Sequence, residues 1–270
     1  MKAGFYQFNP AFGNKEDNFK QTSAALNNVE LDLIVLPEFF AIGYQFISQE
    51  EVAALSEPIP DGPTTDFLID LSRTQNIYIA AGLAEQDGDT YYNSAVLTGP
   101  EGFIGSYRKT HLFFEETLYF TPGNSGFRVW DTEIGRLGIM ICFDWFFPES
   151  VRALALIGAD LVAHPSNLVL PYCPDSMPLR CLENRVFAVT ANRIGTEQRK
   201  EGKPLTFIGN SEVVSPEGKI LVRASEDRDA LMTADIDLSL ARDKVLNPYN
   251  DLLKDRRPEL YSPLFDNKKP

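Results

Sequence analysis

Apolar runs of strand length alternate with amphipathic segments of helix length along most of the chain, and two hairpins interrupt the alternation. Strands linked through helices pair in parallel, whereas strands joined by tight turns pair antiparallel. The pattern therefore demands mixed sheets covered by helices. Strands are expected at 3–8, 31–36, 77–83, 160–164, 186–191 and 231–235. Helices are expected at 15–28, 64–75, 148–157, 175–185 and 238–246. One hairpin joins 91–97 to 103–108 through Gly99-Pro100-Glu101-Gly102, and a second joins 211–214 to 220–223 around Ser215-Pro216-Glu217-Gly218-Lys219. No linker or low-complexity block divides the chain. Residues 1–270 read as one α/β domain, with 247–270 a polar, proline-bearing tail laid on a surface or a subunit interface.

Composition removes several function classes. A net charge of −13 without a basic cluster argues against nucleic acid, because phosphate binding needs concentrated positive surface. No apolar run reaches the ~18–20 residues of a membrane span, and no secretory leader pattern opens the chain, so a soluble cytoplasmic protein is expected. Cys142, Cys173 and Cys181 make no disulfide framework, their spacing fits no zinc pattern, and only two histidines are present. No G-x-G-x-x-G or phosphate loop follows a strand, so neither a nucleotide cofactor nor a metal is indicated.

Three polar residues share one context. Glu38 follows Leu33-Ile34-Val35-Leu36-Pro37, Lys109 follows the hairpin end Tyr107-Arg108, and Cys142 follows Ile139-Met140-Ile141. Cys142 also precedes a turn and the helix start Pro148-Glu149, and a helix N-terminus favours a thiolate. In a layered α/β fold, the carboxyl ends of strands converge on one rim. A carboxylate there can take the thiol proton, the thiolate can attack a carbonyl-like carbon, and an ammonium can stabilise the oxyanion. Each residue alone has an ordinary reading: a packed thiol, a solvated glutamate, a surface lysine.

Six segments occur in the order found in the nitrilase, or carbon–nitrogen hydrolase, superfamily, which the chain resembles over almost its whole length. They are Leu36-Pro37-Glu38, Tyr107-Arg108-Lys109-Thr110-His111-Leu112-Phe113, Phe120-Thr121-Pro122-Gly123, Gly138-Ile139-Met140-Ile141-Cys142 with Asp144 and Pro148-Glu149, His164-Pro165-Ser166-Asn167, and Leu182-Glu183-Asn184-Arg185. The resemblance implies a four-layer αββα sandwich with mixed sheets, no cofactor, and at least a homodimer paired across a helical face. It implies Glu38 as general base, Lys109 as stabiliser of the tetrahedral intermediate, Cys142 as nucleophile and the Phe143 N–H in the oxyanion site. A second glutamate near the lysine is also implied, and Glu116 fits it better than the adjacent Glu115. Two readings stay open for His111, a hydrogen bond to Glu38 or the site wall on one side and a structural role on the other. His164 is read as a satisfied core residue, Asn167 as part of the pocket floor and Tyr44 as a further wall.

The resemblance leaves two substrate classes, since an amide enters as a thioester and a nitrile as a thioimidate on the same residues. Phe143-Asp144 is similar to the amidase and carbamoyl-hydrolase branches and to small microbial aliphatic nitrilases. Trp145 and Phe146 stand where carbamoyl-amino-acid hydrolases carry two arginines, and aromatics cannot pair a carboxylate. A small, uncharged, mainly aliphatic amide is therefore expected, with a nitrile as the first alternative and an ω-amidase, an N-carbamoyl hydrolase, an acyltransferase or a non-catalytic scaffold behind it; packing beneath the helix or at the dimer face is the other use of the two aromatics.

Overall fold

The computed structural model describes residues 1–264, so positions 265–270 of the expected tail lie outside it. Two six-stranded mixed sheets form the centre. The first runs, in spatial order, Ala230–Asp235, Lys2–Gln7, Leu33–Val35, Tyr78–Asp87, Thr90–Gly99 and Gly102–Arg108. The second runs Ile220–Arg223, Glu212–Val214, Phe187–Ala191, Leu161–Pro165, Gly135–Ile139 and Val129–Thr132. Each has three parallel strands in the middle and antiparallel strands outside them.

Strand periodicity sets the layers. In the first sheet Ala3, Phe5, Leu33 and Val35 face the second sheet and join Leu137, Ile139 and Val189 in one core. The alternate residues Ile34, Leu36 and Ile79 point the other way and pack with Leu26, Leu68 and Leu71 from the helices Lys15–Leu26 and Pro63–Gln75. The helices Pro148–Leu156 and Cys173–Asn184 cover the far face of the second sheet through Val151, Leu154, Met177 and Cys181. The result is the expected αββα sandwich. Each fully buried leucine or isoleucine in these layers contributes ~1.5–3 kcal/mol.

Local signals explain most of the elements. Pro63 and Pro148 open helices where a missing N–H costs nothing, and Asn76 closes the first of them in the left-handed region. The expected helix at 238–246 is shorter: it spans Ser239–Arg242 and gives way to an extended segment, Val245–Asn247. Asp243 turns the chain by accepting the Val245 N–H (3.0 Å), and Lys244 donates to the carbonyls of Asn184 (3.0 Å) and Arg185 (2.7 Å) at the end of a neighbouring helix. The local Asp243 turn and the two tertiary Lys244 bonds together outweigh helical propensity.

Two glycines let the polar strand ends approach. A Cβ on Gly82 would lie 2.5 Å from the Glu38 Cα, and one on Gly123 would lie 2.1 Å from the Arg108 carbonyl oxygen. The Gly123 N–H in turn donates to the Lys109 carbonyl (2.8 Å). Gly82→Ala must push Glu38 off its strand end. It is expected to lower unfolding free energy by about 1–3 kcal/mol in urea titration, and a change below about 0.5 kcal/mol would show that the approach is not tight.

Candidate active site

The strand Leu33–Val35 runs through Leu36 and Pro37 to Glu38, whose successor Phe39 takes a left-handed backbone (φ 51°). The strand Gly102–Arg108 ends one residue before Lys109, whose N–H donates to the Asn93 carbonyl (2.8 Å). Gly135–Ile139 in the other sheet leads to Cys142, also left-handed (φ 41°) and first in the short 3₁₀ turn Cys142–Phe146. A non-glycine residue held there costs on the order of 1–3 kcal/mol, which the surroundings must supply. Asn167, just past Leu161–Pro165, crosses between the sheets: its Nδ2 donates to the Glu38 carbonyl (2.8 Å).

At this junction Lys109 is fully buried. Its Nζ donates to Glu38 Oε1 at 2.7 Å and to both carboxylate oxygens of Glu116 at 2.8 Å. Asn93 Nδ2 donates to the same Glu38 oxygen at 2.6 Å and reaches Glu116 Oε2 at 3.4 Å. Glu38 Oε2 is buried and has no partner among the described residues. Tyr44 donates its hydroxyl to Glu116 Oε1 at 2.6 Å. Glu115 turns away and pairs with Lys200, so it is Glu116 that meets the lysine.

Burial raises the Glu38 carboxyl to about 7; Lys109 opposes the shift, Glu116 adds to it, and the Lys109 and Asn93 hydrogen bonds lower it further. Burial works against the Lys109 ammonium, but Glu116 and then Glu38 more than offset it, and the net shift is upward. Burial, then Glu38, hold the Cys142 thiol well above its usual range, against the pull of Lys109. The resting site therefore holds a neutral thiol. The helix that begins at Pro148 starts six residues beyond the thiol, so the thiolate-favouring terminus expected from the sequence is replaced by a 3₁₀ turn.

A narrow cleft opens on Cys142 and is lined by apolar Phe113, Phe143, Trp145, Leu168 and Val169, with Asn167 as its polar member. Tyr44 and Glu116 line an adjoining cleft with Phe114 and Phe46. Two of the expected wall residues sit elsewhere. His111 stacks on Phe147 (3.7 Å between centroids), and its Nδ1 lies 2.8 Å from Asp144 Oδ1, so its bonds brace the turn and do not reach Glu38. Phe146 is about half exposed: one 3₁₀ turn beyond Phe143, it packs on the outer side of that ring (5.5 Å between centroids) and does not line the cleft.

Sequence reasoning passed over the groups that hold the cluster. Asn93 is one, and its signal was a polar residue inside the apolar strand Thr90–Gly99. Asp144 is another. It is buried and accepts from the Ile141 N–H (2.9 Å), the Tyr107 hydroxyl (2.8 Å) and the His111 N–H (3.1 Å), tying the cysteine turn to the segment after Lys109. Replacing it with asparagine leaves one former acceptor atom facing donors. Asp144→Asn should cost about 2–4 kcal/mol by urea unfolding, with wild-type-like stability counting against this bracing role.

Residues 2–244 match the carbon–nitrogen hydrolase family. A nitrilase from Pyrococcus abyssi is 49% identical over 97% of this chain and 99% of its own. A solved carbon–nitrogen hydrolase from Helicobacter pylori G27 superposes with a TM-score of 0.89 at 27% identity, over 99% of both chains. An amidase from Nesterenkonia sp. AN1, solved after Michael addition of acrylamide at its active-site cysteine, superposes with a TM-score of 0.81 at 26% identity, over 98% of this chain and 99% of its own.

Proposed function

The chain belongs to the carbon–nitrogen hydrolase family, in the nitrilase superfamily, and on that premise we propose that it hydrolyses a small, uncharged, mainly aliphatic amide to its acid and ammonia through a thioester on Cys142. The observation that carries this reading is the one unpartnered carboxylate oxygen in the cluster: Lys109 and Asn93 occupy Glu38 Oε1 and leave Oε2 to accept a proton. In the first step Glu38 takes the thiol proton as the sulfur attacks the carbonyl carbon. Lys109 and the Phe143 N–H stabilise the oxyanion, and the same proton leaves with ammonia. In the second step Glu38 draws a proton from water, which attacks the thioester and releases the acid and the thiol. Glu116 keeps Lys109 charged and in place, and Tyr44 anchors Glu116.

The cleft supports the substrate class. It is small, and its lining carries no charged side chain. Trp145, buried in that wall, leaves nothing to grip a carboxylate. A nitrile is the second reading, favoured by the relative named a nitrilase; there the first attack gives a thioimidate and one more water is added. We further propose a cytoplasmic homodimer. Its paired face would cover Leu156, Leu179 and Leu182, which stand exposed on the outer helices; among the described residues no helix is long and apolar enough to cross a membrane.

Ammonia release from propionamide and propionitrile tests the reading. Cys142→Ala and Glu38→Gln should each lower kcat by at least about 10³-fold with folding intact, and full activity in either sinks the assignment. Glu116→Gln should lower kcat by about 10-fold or more, whereas Glu115→Gln stays near wild type; the reverse order would exchange their roles. Because the base form of Glu38 is the active one and burial lifts its pKa, kcat/KM should rise with pH through about 7. A profile flat from pH 5 to 8 would contradict Glu38 as the base.

A further inference from the structure

His164 is fully buried in the strand Leu161–Pro165, and both of its ring nitrogens are engaged. Nε2 lies 2.9 Å from the Cys142 carbonyl oxygen and Nδ1 lies 3.0 Å from Thr190 Oγ1. A carbonyl oxygen can only accept, so Nε2 carries the hydrogen. Nδ1 then accepts from the Thr190 hydroxyl, which is itself buried and held in register on the neighbouring strand. Burial lowers the His164 pKa to about 4, so the ring stays neutral and the tautomer is set by its two neighbours.

The carbonyl that His164 grips belongs to the same peptide plane as the Phe143 N–H. In a trans peptide the two point in opposite directions, so fixing one aims the other. That peptide follows a cysteine with φ 41°, where the backbone is held out of its relaxed range. The Phe143 N–H has no hydrogen-bond acceptor among the described residues, and Phe143 lines the cleft beside the thiol. A hydrogen bond to a peptide oxygen also polarises the amide and strengthens its N–H as a donor.

We propose that His164, set by Thr190, is a positioning residue that aims and strengthens the Phe143 N–H toward the oxyanion, acting through the Cys142 carbonyl. It rests on the assignment of Cys142 as nucleophile made above. The imidazole exchanges no proton with substrate; its work is to hold one peptide plane.

Two reactions of the same thiol separate this role from general support of the fold. Iodoethane alkylates Cys142: an S–C bond forms, the C–I bond breaks, iodide leaves, Glu38 keeps the proton, and no oxyanion develops. p-Nitrophenyl acetate acylates it through a tetrahedral oxyanion, and p-nitrophenolate leaves. Mass spectrometry and the nitrophenolate burst follow the two rates in wild type, His164→Leu, His164→Gln and Thr190→Val. Leu and the Thr190 variant should acylate about 10- to 100-fold more slowly, alkylate within about 3-fold of wild type, and Gln should recover most of the acylation rate. Thr190→Val keeps shape and ring, so it decides the matter if His164→Leu does not fold. Equal slowing of both reactions, or slowing of neither, overturns the proposal. Failure of the underlying assignment has its own signature: Cys142→Ala would then give the same burst as wild type.

Discussion

A buried ammonium shared by two buried carboxylates is the constraint on which the site depends. Removing Lys109 from water costs several kcal/mol unless opposite charges meet it at hydrogen-bond distance. Glu38 and Glu116 meet it, but one follows a strand and the other opens the short helix Glu116–Tyr119, and together they bring one more negative charge than it can balance. Burial, with the Glu116 charge adding to it against the pull of Lys109, raises the pKa of Glu38. A carboxylate that would be an inert anion in water becomes a base able to gain and lose a proton near neutrality. The closeness of Gly82 to Glu38 and of Gly123 to the Lys109 segment belongs to the same requirement, since a side chain at either place would force the charges apart.

The thiol is governed by the opposite logic. Lys109 stabilises its anion, but not strongly enough to outweigh burial and the Glu38 charge, so it rests as a thiol. What the fold supplies is position. Cys142 sits on a strained residue between two anchors: Asp144 gathers the N–H groups and hydroxyl of the surrounding turn, and His164 holds the carbonyl. The strain is tolerated because several buried hydrogen bonds would be lost if the turn relaxed.

Much of the fold was legible because it follows from period and punctuation. Period-two and unbroken apolar runs located the strands, Pro63 and Pro148 marked helix starts, and Gly99-Pro100-Glu101-Gly102 marked a hairpin. The segment 238–246 departs from its expected helix because Lys244 satisfies the carbonyls of Asn184 and Arg185, bonds about 60 positions apart that no local pattern shows, while Asp243 turns the chain locally. Glu38, Lys109 and Cys142 could be picked out because each interrupts or ends an apolar strand. Asn93 carried the same kind of signal inside one. Asp144 and His164 gave less: a buried aspartate or histidine is recognised by its partners, and apart from Ile141 those of Asp144 lie 33 to 37 residues away, those of His164 22 to 26.

The sequence pattern by itself determined the mixed, helix-covered sheets, the parallel or antiparallel sense of the connections and the three polar strand ends, since these depend on neighbours a few residues apart, while the four-layer stacking was implied by the family resemblance. Only the tertiary structure decided which glutamate meets the lysine, which oxygen of Glu38 stays free, and that Trp145 faces the cleft while Phe146 and His111 do not. Those outcomes turn on angles of one peptide or one 3₁₀ step and on charges separated by up to 78 positions in the chain. Burial converts such small displacements into large energies, because an unpaired charge or polar group inside the protein has no water to fall back on.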